Sequence, residues 1–221
     1  MRNGKPFWDV EEEEGFVSIK GPDNMYYKVW ETPDEQENIS VAIELAKVRK
    51  DINKLLLYLY NNPQLWHDKP IAFGIYHTFD IHLPGWQDLQ HINEFGANFN
   101  TIINRKCEQT GKLFEYQEMT PNPDGIIGLN KPKIIKKIKL TVDNKPINYE
   151  IADKRKIFLT IRNQKTGKVN DYSKTLDLAL HELTHTTCND VRWKEDNHKP
   201  PYKSYHTLMR KWARECGVLK N

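Results

Sequence analysis

The chain has 221 residues, 38% hydrophobic, 29% charged and 11% aromatic, with a mean hydropathy of −0.76; that is polar for a globular protein, yet too aromatic for a disordered one. Its 33 basic and 30 acidic side chains leave a formal net charge of +3, too little to imply nucleic-acid binding by itself. Apolar runs such as LLLYLY at 55–60 fall far short of the roughly 18–20 residues of a transmembrane helix, and the three dispersed cysteines, Cys107, Cys188 and Cys216, argue against a disulfide framework and for a reducing compartment.

The start, Met1-Arg2-Asn3-Gly4 running into the acidic Glu11 to Glu14, does not read as a signal peptide. An intracellular protein, cytoplasmic or nuclear, is expected, with the acidic run as solvated surface. Residues 1–37 mix aromatics with the turn-prone Gly21-Pro22-Asp23-Asn24 and predict short strands and loops. Val41, Leu45, Val48, Ile52, Leu55, Leu56 and Leu59 then recur at helical spacing, which predicts an amphipathic helix over 40–62 with Ser40 as its cap and Pro63 closing it. Residues 63–130 hold apolar pieces between turn signals whose periodicity does not settle their type.

Residues 134–162 read as strands: Ile138, Leu140 and Val142 alternate with polar positions, Asn144-Lys145-Pro146 supplies a turn, and KIFLTIR at 156–162 is apolar and β-branched. The basic run Lys131, Lys133, Lys136, Lys137 and Lys139 reads as a solvated strand face, with nucleic-acid contact as the lesser alternative. After a turn at 163–168, Asp171 or Ser173 caps a helix carrying TLDLALHELTHTT, and a polar loop leads to a last helix. That helix has Pro201 at its start, Tyr205, Leu208, Met209, Trp212 and Cys216 on one face, and Gly217 past its end.

His181-Glu182-Leu183-Thr184-His185 is an HExxH sequence inside a predicted helix. Histidines at i and i+4 share a face with Cβ atoms about 5–6 Å apart, a spacing from which two imidazoles converge on one zinc ion. Glu182 then stands beside the metal, placed to take a proton from an activated water. A catalytic zinc takes three protein ligands and leaves one position open. His198, 13 positions after His185 across a polar loop, is the chosen third ligand; Glu215, Asp190, Asp196 and His206 are its rivals. Tyr202 or Tyr205 could donate to the oxyanion of the tetrahedral intermediate, although core packing is the commoner role for such residues.

The stretch LDLALHELTHTTCNDVRWKEDNHKPPYKSYHTLMRKWARECG at 176–217 resembles the zincin metallopeptidases of the SprT and WLM type, including versions in large DNA viruses. Those families pair HExxH with a downstream histidine, an aromatic and a final helix; here these are His181, Glu182, His185, His198 and Tyr202. The likeness covers about a third of the chain. It implies an α+β zincin-like domain at 131–221 with a small sheet packed on two helices, preceded by an N-terminal mixed region at 1–130. The function it implies is zinc-dependent hydrolysis of a protein or peptide substrate, with zinc on His181, His185 and His198 and Glu182 as base. The strand upstream of the HExxH helix is expected to lend its edge to the substrate. Lys199 departs from the glycine common in SprT-like proteins, and three dispersed cysteines cannot build the zinc ribbon that many of them carry. The rival reading is a non-catalytic interaction protein, such as a component of a virus particle, that keeps the scaffold for assembly.

Overall fold

The computed structural model describes residues 15–66, 69, 101–103, 115–119, 128–129, 133–142, 145–153, 156–163, 166–187 and 202–220, of which 60, 101–103, 129, 133–142, 145–153 and 186 are described by backbone alone. The architecture is α+β. Strands β1 (Phe16–Lys20) and β2 (Tyr26–Trp30) pair antiparallel across the expected turn, where Asn24 takes φ 62° and Gly21 N–H donates to the Met25 carbonyl at 2.7 Å. Asparagine tolerates this left-handed conformation better than most residues.

Helix α1 (Glu35–Asn61) starts five residues before the expected position. Its cap is Asp34, whose carboxylate accepts from Gln36 N–H at 2.9 Å and Glu37 N–H at 3.2 Å. Ser40 is already helical, its hydroxyl bonded to the Gln36 carbonyl at 2.8 Å. The apolar stripe lies where its spacing put it: Val41, Leu45, Val48, Ile52, Leu55, Leu56 and Leu59 are all buried. The helix ends before Pro63, which opens a single 3₁₀ turn, Pro63–Leu65. Trp66 folds back so that its indole N–H donates to the Leu59 carbonyl at 2.8 Å.

Among the described residues, strands β3 (Thr101–Ile103), β4 (Glu115–Glu118), β5 (Gly128–Leu129), β6 (Lys133–Val142), β7 (Lys145–Asp153) and β8 (Lys156–Leu159) complete two sheets. One is three-stranded, β3-β7-β6, with β6 and β7 antiparallel where the sequence pattern predicts strands; Lys145 and Pro146, expected in the turn, are already part of β7, paired with Val142 and Thr141. The other is five-stranded, β1-β2-β4-β8-β5, with β2, β4 and β8 parallel and β5 antiparallel to β8. This order corrects the expectation that the strand upstream of the HExxH helix offers its edge. β8 is interior, paired with β4 on one side and with β5 on the other through Leu159 to Gly128 and Phe158 to Leu129. Its unbroken apolar run is what a strand covered on both faces needs. Among the described residues, the sheet border beside that helix belongs to β5.

After β8 the chain turns, with Asn163 N–H on the Lys168 carbonyl at 2.9 Å and Gly167 at φ 67°. It then enters α2 (Tyr172–Thr187); α3 (Tyr202–Glu215) ends at Gly217, φ 69°, where Val218 N–H closes on the Ala213 carbonyl at 2.7 Å. One core joins these parts: the α1 stripe, Tyr27, Val29 and Tyr116 from the sheet, Ile157, Leu159 and Ile161, then Leu176, Leu180 and Leu183 of α2 and Tyr205, Met209 and Trp212 of α3. Strands from both sides of residue 130 share the five-stranded sheet and this core.

Near the ends of β2 and β4, and just past β8, a polar knot crosses the core. Arg162, 3% exposed, donates to the Trp30 carbonyl at 3.1 Å and to Asn38 Oδ1 at 3.0 Å, and its Nε lies 3.4 Å from Glu118 Oε1. The other Glu118 oxygen accepts from Trp30 N–H at 2.8 Å. Burial outweighs the neighbouring guanidinium and pushes the Glu118 carboxyl up to about 7.

Candidate metal centre

Asp171 builds the start of α2: its carboxylate accepts from the Ser173 backbone N–H at 2.8 Å and from the Ser173 hydroxyl, which hold the carboxyl below its ordinary range. Of the two expected caps, Asp171 is the one used. Leu176, Ala179, Leu180 and Leu183 dock one side of the helix in the core. That docking fixes the helix rotation and leaves His181 and His185, one turn apart, on a partly exposed face.

The two imidazoles turn toward one another. Their Nε2 atoms are 3.2 Å apart and their ring centroids 4.9 Å, with planes at 71°. Two nitrogens bound tetrahedrally at 2.0–2.1 Å to one zinc would sit about 3.3 Å apart, so the pair already has the spacing a shared ion requires. Glu182, side chain 5% exposed, brings Oε1 to 4.0 Å from His181 Nε2. His181, Glu182 and His185 each offer a ligand atom within 4.8 Å of the others. Two imidazoles are ligands that zinc accepts, and the Glu182 carboxylate stands beside them.

Helix α3 braces the histidines from behind. Tyr202 is buried, stacks on His185 at 4.4 Å with planes at 28°, and donates its hydroxyl to the His181 carbonyl at 3.3 Å. That bond gives the hydroxyl a backbone acceptor. Tyr205 is packed into the core. His206 stacks over Tyr202 at 5.7 Å and meets His181 at 5.6 Å, so four rings form one cluster. Neither His206 nor Glu215 joins the close ligand group; Glu215 instead accepts from Tyr58 Oη at 3.2 Å and lies 3.7 Å from Lys211 Nζ. His198, Asp190, Asp196 and Cys188 lie outside the described residues, as do the side chains of the β6 lysines and the Glu11 to Glu14 run.

One neighbour of the site had no sequence signal strong enough to single it out. Gly128 of β5 passes so close to α2 that a Cβ built on it would stand 2.5 Å from Glu182 Oε1, 2.7 Å from its Cγ and 2.9 Å from its Cδ. A glycine in a strand marks a close approach, but the stretch around it carries no strand pattern to reveal that setting.

The chain is similar to an uncharacterised protein, 136R, of Invertebrate iridescent virus 6, with 33% identity over 94 residues, 41% of this chain and 51% of that protein. The match thus spans about half the length of the curated relative. No family model and no solved structure matches the chain. No helix among the described residues is long and apolar enough to cross a membrane.

Proposed function

We propose that the chain is a zinc-dependent peptidase of the zincin type, as its resemblance to SprT- and WLM-like proteins implies. The observation that carries this reading is the convergence of His181 Nε2 and His185 Nε2 at 3.2 Å with Glu182 Oε1 4.0 Å from the first of them. His181 and His185 hold the ion, with His198 assigned from sequence as the third ligand. Zinc bound there supplies Lewis-acid polarisation of the substrate carbonyl and lowers the pKa of a water.

The chain's own residues do the rest. Glu182 takes the proton of the attacking water on its carboxylate and delivers it to the leaving amine as the carbon–nitrogen bond breaks. Its burial between α2 and β5 limits its motion, which favours a fixed geometry for that transfer. Tyr202 keeps His185 oriented by stacking and ties the His181 carbonyl to α3. An extended peptide would lie against the outer side of β5, the border strand beside the site among the described residues.

The test is hydrolysis of an unfolded protein substrate by the zinc-loaded chain. Glu182→Gln is expected to keep zinc and to lose about 100-fold or more of the rate; unchanged hydrolysis in that variant overturns the reading. A second reading has its own support: 3.2 Å also suits an N–H···N hydrogen bond, and the four-ring cluster packs like a structural element. It describes an interaction protein, such as a virus-particle component, and requires wild-type protein that shows no hydrolysis with zinc bound.

A further inference from the structure

We infer that Gly128 is a positioning residue for Glu182: the side chain it lacks is the space that the Glu182 carboxylate fills. This rests on the peptidase reading for its catalytic meaning and on geometry alone for the contact. Three atoms of Glu182 would lie within 3 Å of a Cβ at position 128, closer than real Cβ atoms come to their neighbours. The nearest, Oε1, is the same oxygen that stands 4.0 Å from His181 Nε2.

Neither backbone is placed to yield. Gly128 is paired in register with Leu159, which is buried, and α2 is docked through Leu180 and Leu183, both fully buried. Glu182 is itself 4% exposed and has little open space to swing into. An added methyl therefore overpacks the contact and moves the carboxylate, the one flexible group of the pair. The three atoms nearest that methyl all belong to Glu182, and neither imidazole is among them. The sheet border thus sets where the carboxylate sits, and the helix sets where the imidazoles sit. A displacement of about 1 Å in a reacting group costs on the order of 100-fold in rate.

The test is a double-mutant cycle on the full chain, read by thermal unfolding, zinc content and hydrolysis. Gly128→Ala is expected to lower the melting temperature by about 3 °C or more in the wild-type background. In a Glu182→Ala background, where the crowded atoms are gone, most of that loss disappears. Zinc content stays at the wild-type level in Gly128→Ala, and kcat falls about 100-fold with KM little changed. If Gly128→Ala fails to fold alone but folds with Glu182→Ala, the assignment is equally supported. Equal destabilisation in both backgrounds overturns it, and so does a Gly128→Ala protein with wild-type kcat. If the cycle shows the coupling while no variant and no wild-type sample cleaves any substrate, the peptidase reading falls and the contact between Gly128 and Glu182 stands.

Discussion

The polar clusters around Arg162 and around His181 differ in where their bonding capacity goes. Arg162 is almost wholly buried and directs its guanidinium to a carbonyl, an amide oxygen and a carboxylate, all inside the fold. His181 and His185 stand on a partly exposed helix face and turn two nitrogens toward one point. The first arrangement ties β2, β4 and the start of α1 together. The second holds like groups close together, which is useful chiefly when something binds between them. The contrast teaches that burial with internal partners reads as architecture, and convergence near the surface reads as chemistry.

The largest expected effect falls on the buried knot. Arg162→Met takes the guanidinium away from Glu118, Asn38 and the Trp30 carbonyl, and is expected to cost about 3–5 kcal/mol in urea unfolding. Zinc binding by the fraction that remains folded should be unchanged; a coupled loss of zinc would break the separation between the two clusters.

The next effect is a pH dependence. Glu118 is raised from 4.5 to about 7 in the folded protein, so its contribution to stability is fully present below about 4.5 and is lost as pH climbs through about 7. Unfolding free energy should therefore fall between pH 5 and 8 by on the order of 1–3 kcal/mol from this group. Glu118→Gln should flatten that slope, and an identical slope in the variant would show that another group carries it.

The smallest expected effect probes the bracing of the candidate metal centre. Tyr202→Phe keeps the ring that stacks on His185 and removes only the hydroxyl donated to the His181 carbonyl. It should cost about 1 kcal/mol of stability and leave zinc content intact, whereas Tyr202→Ala should weaken zinc binding about 10-fold or more by freeing the imidazole. Equal zinc affinity in both variants would remove Tyr202 from the account of the site.

What the sequence made legible follows from how local each signal is. The stripe from Val41 to Leu59 repeats over five turns, and every member is buried. The start of that helix is not legible because Glu35 to Asn38 is polar and adds nothing to an apolar period; only Asp34 marks it, through two hydrogen bonds that a one-dimensional pattern does not display. His181 and His185 were legible because helical geometry alone brings i and i+4 together. The interior place of β8 depends on β4 and β5, segments of four and two residues too short to carry alternation. Gly128 depends on a strand and a helix meeting across more than fifty positions of sequence, which no local window contains.

The central claim is that His181 and His185 form one zinc site, and elemental analysis of the purified, zinc-reconstituted chain beside His181→Ala and His185→Ala tests it most directly. The account predicts about one zinc per chain in the wild type and a sharp loss in each variant, with the zinc-free proteins close to one another in unfolding stability. Wild-type protein that takes up no zinc, or variants that hold it undiminished, would contradict the account.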